Sequence, residues 1–425
     1  MAEQLHIDKL LQKIKFLFRF NGLSLESRKR TKVETIICRC LYVFNFLWLN
    51  MDVLGEIIWF LDGINNGKSF LELSYTTPCV GISVLADFQS IIHILKEDAI
   101  NQLIEELREL EKKERNLGKN SNELELSREC ESELERLENV ERKEIIKEET
   151  NICNFAVMSQ MFWIFMTSLV FTLIPLIITA VKYFKTNELD LILPFPVPFD
   201  VKKARYWAIM YMHHVWSSFL VIQNGTAFIT IFYICCSFIR IHFRLLKYNF
   251  ERIVSDVDGC EIISNEHNKF RCKLINLIKY HQDIISAVNL LEFVSSNIIF
   301  CYFTASSVLI CLTGFNLTIS NDMIIVLTFA VFLLLSLTQI FLLCYFGDMI
   351  VSSSMEVSDV LYNSHLTLAD PKLAKLLLLV QIRAQKPCKL TAANYADLNL
   401  RAFTKILSTS WSYFALLNTM YSTDI

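Results

Sequence analysis

The sequence predicts an all-α, polytopic membrane protein with seven transmembrane helices, and three observations support this prediction. The 425 residues are 53% hydrophobic with a mean hydropathy of +0.37, which is more apolar material than one soluble core needs. Seven apolar runs are long enough to cross a bilayer as helices. Segments rich in Glu, Lys and Arg separate several of these runs. The predicted spans cover about 35–61, 73–95, 150–183, 207–239, 284–312, 323–347 and 402–421.

The N-terminal segment, residues 1–33, is basic and amphipathic. Lys9 and Arg19 alternate with apolar residues such as Phe16 and Phe18. A segment of this kind suits the cytoplasmic surface of a membrane, where lipid headgroups are anionic. We expect no cleavable signal peptide, because the first long apolar run exceeds the length of a signal-peptide core.

Two long charged segments interrupt the spans. Residues 96–149 carry an excess of Glu, and many Glu lie three or four positions from a Lys or Arg. This spacing predicts a solvated helix that is continuous with the third span. Residues 240–282, after the fourth span, are predicted to be a similar charged helical region. The polar region 348–400 contains an apolar helix at about 373–381.

Proline positions predict two irregular features around the third span. Pro175 lies near the outer end of this span and predicts a kink. The segment 193–199 contains three prolines, so it cannot form a regular helix. We therefore expect a loop there that covers the outer end of the bundle as a lid.

The distribution of Lys and Arg predicts the orientation of the chain. With the N-terminus in the cytoplasm, the outer segments hold about six Lys and Arg, five of them in the loop 182–206. Seven spans then put the C-terminus outside, the reverse of a G-protein-coupled receptor. The predicted regions are a cytoplasmic N-terminus at 1–33, spans one to six at 34–347, a cytoplasmic helical region at 348–401, and the seventh span with an extracellular C-terminus at 402–425.

Two N-glycosylation sequons occur, at Asn224 and Asn316. Asn224 falls inside the fourth span and is expected to be silent. Asn316 is expected in the short outer connection between the fifth and sixth spans. Because that connection is so short, Asn316 can also stay unmodified.

The sequence lacks a Gly-rich phosphate loop, His-Glu-x-x-His and Gly-x-Ser-x-Gly, so we predict neither an enzyme nor a cofactor, and no nucleic-acid partner. His213 and His214 have no carboxylate near them in sequence and point about 100° apart on a helix. They are therefore interpreted as packing and hydrogen-bonding residues and not as a metal-binding pair. The thirteen Cys are interpreted as free thiols. Glu56, Asp87 and Glu292 are acidic residues at membrane depth, and each must face protein or water.

The last span has one polar side. At about 3.6 residues per turn, Lys405, Thr409, Ser412, Leu416 and Met420 share a face. Hydrocarbon offers hydroxyl groups no hydrogen-bond partners, so this face should meet other helices or water. In the alternative interpretation, the hydroxyls bond back to their own helix or allow close packing. The apolar residues that lie mostly away from this face are Phe403, Leu407, Phe414 and Leu417.

The C-terminal sequence resembles the signature of insect odorant receptors. The segment 395–403 followed by 411–417 is especially similar to the moth sex-pheromone receptor branch. A block of about forty residues carries the resemblance, and the rest of the chain matches in length and layout only. The residues that carry it are Phe403, Ile406-Leu407-Ser408 and Ser412-Tyr413-Phe414-Ala415-Leu416-Leu417, preceded by Gln385-Lys386-Pro387 and Leu390-Thr391-Ala392.

The resemblance implies an odorant-gated, non-selective cation channel in the plasma membrane of sensory neurons, built as a heterotetramer with a common odorant co-receptor. Membrane lipids would surround it, and monovalent and divalent cations would permeate it. Residues 240–282 and 370–400 would form a cytoplasmic anchor, and the second half of the seventh helix would line the pore. Dewetting between apolar rings would close the pore. The implied gate and pore residues are Leu416, Met420, Thr419, Ser412 and Thr409.

The resemblance also implies a ligand pocket in the outer half of the bundle, between helices two to six. Its expected residues are mostly apolar and aromatic, which suits a long-chain unsaturated alcohol, aldehyde or acetate, because each buried CH₂ contributes about 0.8 kcal/mol. At most one polar contact is expected, from His214, Ser168 or Tyr211. The expected apolar and aromatic pocket residues are Ile82, Leu85, Phe88, Phe162, Met166, Met212, Trp216, Tyr302, Phe303, Phe329 and Phe332.

Three other functions stay open at this point. A general-odorant or gustatory-type receptor channel would share the same layout, although gustatory receptors tend to end their final helix with a Gln-Phe pair that is absent here. A transporter would use the acidic residues at membrane depth, but no internal repeat or matched pair of broken helices is evident. A G-protein-coupled receptor would need the opposite orientation.

Overall fold

A computed structural model describes residues 5–23, 25, 31–68, 70–119, 128–186, 189, 203–258, 264–320, 322–363 and 371–423. Within these residues the chain forms ten α-helices and one short hairpin. The predicted loop at 193–199 lies outside the described residues. The helices are α1 (His6–Phe20), α2 (Lys32–Asn65), α3 (Phe70–Leu95), α4 (Glu97–Lys119), α5 (Arg128–Thr186), α6 (Ala204–Asp258), α7 (Ser264–Ile319), α8 (Met323–Asn363), α9 (Pro371–Ala384) and α10 (Leu400–Thr423), and the strands are β1 (Thr391–Ala392) and β2 (Ala396–Asp397).

Six of the described helices, α2, α3, α5, α6, α7 and α8, are long and apolar enough to cross a membrane. They occupy the predicted positions of spans one to six, and α5 to α8 extend past the predicted ends. Pro175 lies inside α5. The 24 residues of α10 occupy the predicted seventh span, and a length of about 36 Å is enough to cross a bilayer. The all-α, multi-span prediction is therefore confirmed.

The N-terminal helix α1 is amphipathic, but its apolar face is covered by protein. Ile7, Ile14 and Leu17 are buried, and α1 packs against α6. Phe16 and Phe20 remain exposed. The sequence analysis expected this apolar face to lie on the membrane surface, whereas in the structure it packs against protein. A helical period identifies such a face, but it does not say whether lipid or protein covers it.

The charged segment before the third span forms two helices instead of one. α5 begins at Arg128 and continues into the span, as predicted, whereas α4 is a separate helix that ends at Lys119. α4 packs against α6 and α7, and Leu107 is fully buried there. Lys113 forms an ion pair with Asp283 of α7 at 2.6 Å. The expectation of a continuous solvated helix was therefore wrong for α4, because its apolar face packs against the bundle.

α6 is the central helix of the described bundle. It packs against α1, α2, α3, α4, α5, α7 and α8. Every side chain in residues 226–239 is buried, as expected for a helix that is surrounded by other helices. The ring of Tyr233 stacks on Phe346 of α8, with centroids 4.7 Å apart. His242 and Tyr280 share a buried hydrogen bond of 2.6 Å between Nδ1 and the hydroxyl, which joins α6 to α7.

A short hairpin leads from α9 into α10. β1 and β2 pair antiparallel, and the turn between them puts Ala393 and Asn394 at positive φ, 48° and 61°. This region is unfavourable for residues with a Cβ atom, so the surrounding contacts must hold the turn. Gly347 of α8 approaches the chain just after β2, where an added Cβ would lie 2.4 Å from the carbonyl oxygen of Leu398. The hairpin is therefore fixed against α8 by close packing.

The sequon residue Asn316 lies inside α7, not in the connection to α8. Its side chain is fully buried, and its Nδ2 donates to the carbonyl oxygen of Ser74 at 3.1 Å. Its Oδ1 accepts a hydrogen bond from the Ser74 hydroxyl at 2.7 Å. The expected location in an exposed connection was wrong, because α7 continues to Ile319.

Candidate ligand cavity and pore helix

A cavity of about 130 Å³ lies between α2, α3, α5, α6, α7 and α8. A single buried water needs about 10–15 Å³ of such space, so the cavity has room for a small organic molecule. All six helices that are apolar enough to cross a membrane contribute to its walls. Cavities between the helices of a bundle are common ligand sites.

About half of the side chains that line the cavity are polar. They include the carboxylates of Asp52 and Glu56 and the amides of Gln89 and Gln160. This lining corrects the expectation of an apolar pocket with few polar groups. Polar side chains in a membrane span turn away from lipid, so the polar minority of each helix collects in the interior while apolar residues cover the outside.

Five of the predicted pocket residues line this cavity. Ile82 and Leu85 lie three positions apart on α3 and so share one face of that helix. Tyr302 of α7 lies at the wall and donates its hydroxyl hydrogen to the carbonyl oxygen of Gly225 at 3.3 Å. The five residues that the sequence analysis and the cavity share are Ile82, Leu85, His214, Tyr302 and Phe332.

The other predicted pocket residues do not line the cavity. Phe162 is 54% exposed and Met212 is 66% exposed, and Trp216 is also exposed, so these side chains lie on the outer surface of the bundle. Trp163 lines the cavity instead of Phe162, because adjacent helix residues point about 100° apart. Tyr211 donates its hydroxyl hydrogen to a backbone carbonyl of α5 at 2.5 Å. The remaining predicted residues, which are half-buried or buried elsewhere in the bundle, are Phe88, Met166, Ser168, Phe303 and Phe329.

A cluster at the cavity wall joins α2 to α6 and was not predicted. The Nδ1 atoms of His213 and His214 lie 3.1 Å and 3.4 Å from Oδ1 of Asp52. The sequence analysis found no carboxylate near the two histidines, because Asp52 is distant in the chain and reaches them only through the packing of α2 on α6. Glu56 was recognised as an acidic residue at membrane depth, and it lies one turn after Asp52 on the same wall.

Glu292 of α7 holds the hairpin before α10. Its carboxylate accepts hydrogen bonds from the backbone N–H of Thr391 at 2.8 Å and from the Thr391 hydroxyl. Ser296, one turn further, donates to the carbonyl of Thr391 at 3.0 Å and accepts from the N–H of Ala393 at 3.0 Å. Tyr302 at the cavity lies about 9 Å further along α7. These bonds, here called the α7–hairpin contact, connect the cavity helix to the segment that starts α10.

α10 packs against α7 and α8 and leaves one face exposed. Ser410, on the packed side, donates its hydroxyl hydrogen to the carbonyl oxygen of Ser307 at 3.1 Å. On the other side, Leu416 and Met420 are each 57% exposed. Phe403, Leu407, Phe414 and Leu417, predicted to lie away from this face, are half-buried. The predicted pore-face residues are exposed at Ser412, Leu416, Thr419 and Met420 and half-buried at Thr409.

The hydroxyl groups on this face bond back to α10. Thr409, Ser412 and Thr419 each donate to the carbonyl oxygen four residues earlier, at 2.9–3.0 Å. The alternative interpretation in the sequence analysis, that the hydroxyls bond back to their own helix, is therefore correct for these three residues. The same residues nevertheless lie on the exposed face of α10 or at its edge. A bond to the helix uses the hydroxyl hydrogen and leaves the oxygen with further acceptor capacity toward water.

Comparisons with known proteins agree with this arrangement. A family model described as 7tm Odorant receptor matches residues 121–411. The chain is similar to Odorant receptor 67c of Drosophila melanogaster, with 24% identity over 406 residues that cover 93% of this chain and 92% of that protein. It is also similar to Odorant receptor 22c of Drosophila melanogaster, with 30% identity over 197 residues that cover 45% of this chain and 49% of that protein.

A solved structure has the same fold. It is the insect olfactory receptor OR5 from Machilis hrabei, in complex with eugenol, and it matches with a TM-score of 0.78. The match covers 98% of this chain and 99% of that chain at 17% sequence identity. At this identity the likeness establishes the shared fold alone.

Proposed function

The chain belongs to the insect odorant receptor family, and from this we propose that it is the odorant-binding subunit of a ligand-gated, non-selective cation channel. The subunit assembles with the common odorant co-receptor as a heterotetramer in the plasma membrane of sensory neurons. Monovalent and divalent cations pass through a pore lined by the last helix. The N-terminus and the anchor regions 240–282 and 348–401 lie in the cytoplasm, and the C-terminus lies outside.

One observation carries this proposal: a ligand-sized cavity and an exposed polar helix face occur in one chain and share α7. The cavity lies between six apolar helices, and α7 forms part of its wall. The α7–hairpin contact then joins this wall to the start of α10. A ligand that shifts α7 therefore has a short mechanical route to the pore helix.

The proposed gate consists of Leu416 and Met420, with Thr419 beside them and Ser412 and Thr409 below. Both apolar side chains project from the exposed face of α10. Equivalent faces of neighbouring subunits would bring such side chains together around the channel axis. A narrow apolar ring blocks ions by excluding water, so no charged plug is required.

The proposed ligand is a long-chain unsaturated alcohol, aldehyde or acetate, as in the moth pheromone branch that the C-terminal sequence resembles. Its chain would contact Ile82, Leu85 and Phe332, where each buried CH₂ contributes about 0.8 kcal/mol. His214 or Tyr302 would contact its oxygen.

The second candidate is a receptor for smaller and more polar odorants. The polar lining favours this candidate, because a hydrocarbon chain offers no hydrogen bonds to Gln89 and Gln160. A site built to hydrogen-bond a ligand rejects analogues that lack the matching groups. The two candidates therefore make opposite predictions for a ligand panel.

Recording from cells that express the full chain with the co-receptor, with G proteins blocked, tests both candidates. Long-chain alcohols, aldehydes and acetates are compared with short polar odorants. We expect ligand-evoked cation currents, with the long-chain compounds most potent. Stronger responses to short polar odorants would replace the first candidate with the second, and the absence of any ligand-evoked current would contradict the channel proposal.

Truncation of a cavity residue tests the position of the ligand. Phe332→Ala should raise the half-maximal ligand concentration by about tenfold, since the loss of about 1.4 kcal/mol of apolar contact corresponds to that factor. Phe165→Ala is the matched control, because Phe165 is exposed on the outer surface of α5. If both variants have the same half-maximal ligand concentration, the ligand does not bind in this cavity.

A further inference from the structure

We propose that Asp52, His213 and His214 form a binding site for a divalent transition-metal ion of the Zn²⁺ class at the wall of the cavity. One carboxylate and two imidazoles are a donor set that zinc commonly takes in proteins. The three side chains can each offer one ligand atom, and these atoms all lie within 4.8 Å of one another. The site joins two helices that are far apart in sequence.

The two distances between the histidine nitrogens and the Asp52 carboxylate fit tetrahedral coordination. Zinc bonds to nitrogen and oxygen are about 2.0–2.1 Å long, so two donors of a tetrahedral site are about 3.3 Å apart. The two imidazole Nδ1 atoms lie 3.1 Å and 3.4 Å from Oδ1 of Asp52. The donor atoms of the two histidines lie within 4.8 Å of each other, so an ion would bind with both rings adjusted toward the separation of about 3.3 Å.

The packing around the histidines holds them in this arrangement. Adjacent helix residues point about 100° apart, so His213 and His214 can reach one carboxylate only because Asp52 lies between their directions. Trp48, one turn before Asp52 on α2, stacks on the ring of His213 with centroids 4.8 Å apart and 24° between the planes. His214 is almost completely buried. Because packing already holds these side chains in place, they lose little conformational entropy when a metal binds.

The charge at this position favours a cation. Asp52 and Glu56 are both buried, and they lie one turn apart on the same side of α2. Two carboxylates within a membrane span are costly unless a positive group balances them. A divalent ion supplies that charge in one step.

The location gives the ion an effect on ligand binding. Asp52, Glu56 and His214 all line the cavity, so the cavity provides an entry path and the ion becomes part of its wall. Three protein ligands also leave a coordination position for water or for a polar group of the odorant. We therefore expect the metal to change odorant sensitivity, and this second part rests on the proposed function.

Binding is tested on the purified full-length chain in detergent, with Co²⁺ as a spectroscopic probe for Zn²⁺. Tetrahedral Co²⁺ absorbs visible light strongly, so the wild-type chain should give a visible band that saturates at one Co²⁺ per chain and disappears when Zn²⁺ is added. Asp52→Asn, His213→Gln and His214→Gln should each abolish the band while eluting as folded protein in size-exclusion chromatography. His281→Gln is the matched control, because it removes a buried histidine of α7 outside the site.

The outcomes separate the metal site from a hydrogen-bonded His–Asp–His cluster. Absence of the band in the wild-type chain, or a band that survives in all three site variants, would overturn the metal site. In recordings with the co-receptor, Zn²⁺ should shift the half-maximal odorant concentration of the wild type by at least about fivefold, and Asp52→Asn should lose this shift. A Co²⁺ band without any Zn²⁺ effect on current would show that the metal site exists. It would also show that the metal does not affect the odorant response.

Discussion

Asn316 and Ser74 join α7 to α3 by two buried hydrogen bonds, and their role illustrates how single polar residues fix helix positions in this protein. The Ser74 hydroxyl donates to Oδ1 of Asn316, and Nδ2 of Asn316 donates to the backbone carbonyl of Ser74, so both side chains are paired in an apolar environment. Removing the Asn316 amide takes away both of these hydrogen bonds, and the loss of a buried hydrogen-bond partner costs about 1–3 kcal/mol. A glycan on Asn316 would not fit between α7 and α3 in this packing.

The first prediction concerns Asn316. The mature protein should show no change in gel mobility after enzymatic removal of N-glycans, because Asn316 is fully buried within α7. Asn316→Ala should lower the apparent melting temperature through the loss of both hydrogen bonds. Thr318→Ala, which removes the sequon but keeps Asn316, is the control and should behave like wild type in both measurements. A mobility shift that Thr318→Ala abolishes would contradict the burial of Asn316.

The second prediction concerns Gly347. In Gly347→Ala the new Cβ would collide with the Leu398 carbonyl at 2.4 Å, so α8 and the start of α10 must separate. We expect a lower melting temperature and a strongly reduced odorant-evoked current. Gly81→Ala is the control, since its Cβ would make an ordinary contact of 3.7 Å with Leu309 and Ala is the better helix former. Similar stability of the two variants would show that the contact is not tight.

The direction in which each helix residue points, outward or into the bundle, was the hardest feature to derive from the sequence. Phe162 and Trp163 are both aromatic residues of the third span, yet Phe162 faces outward and Trp163 lines the cavity. In a span with lipid on one side and helices on the other, apolar side chains suit both sides, so their type carries no information on direction. Polar residues are more informative, because Glu56 can be placed inward from its charge alone.

At the scale of helices and strands, α10 combines a packed side with an exposed side, and it is the element that we assign to the pore. Its polar face could be predicted from period and composition, because a hydroxyl stripe is unusual in a lipid-facing helix. The α7–hairpin contact could not be predicted, since Glu292 and Thr391 are distant in sequence. The length of α8 was also underestimated, because its polar C-terminal part looks like a loop when only hydropathy is considered.

The third prediction tests the exposed face of α10. Leu416→Ser and Met420→Ser, expressed with the co-receptor, should each raise the resting current, because a polar ring no longer excludes water. Trp411→Ser is the control, since Trp411 is 70% exposed but lies about 140° around the helix from Leu416. Unchanged resting current in both gate variants would assign the gate to other residues.

The fourth prediction tests the α7–hairpin contact. Glu292→Ala removes the acceptor for two hydrogen bonds of Thr391, which should cost about 1.5–3 kcal/mol for a charged partner. We expect a lower melting temperature and a smaller maximal current, with little change in the half-maximal odorant concentration, because Glu292 does not line the cavity. Glu251→Ala removes an exposed carboxylate of α6 as the control. A change in odorant sensitivity with an unchanged maximal current would argue against a role in transmission.

At the scale of the whole molecule, one chain leaves surfaces that suit further subunits. The exposed face of α10 lies within a helix that would cross the membrane, so in isolation its hydroxyl groups would meet lipid. The proposed assembly around a water-filled axis would remove this conflict. The family, the helix order and a pocket between helices two to six could be predicted from the sequence. The contribution of α2 and the polar lining could not, because they depend on six helices packing at once.

The fifth prediction concerns assembly. Cells that express this chain without the co-receptor should show odorant-evoked currents near background, and co-expression should restore them. Surface labelling of the tagged chain in both conditions serves as the control for trafficking. Full currents from the chain alone, at equal surface amounts, would mean that its own α10 faces are sufficient to build a pore.

The separation of the cavity from α10 has an evolutionary consequence. In the described part of the chain, the cavity walls come from α2, α3 and α5 to α8, and α10 contributes no lining residue. Substitutions such as Ile82 or Phe332 to other apolar residues would therefore change the shape of the proposed odorant cavity without altering the exposed face of α10. With the proposed assembly, a lineage built on this plan would diversify its chemical repertoire while each new receptor kept the same surface for a shared partner.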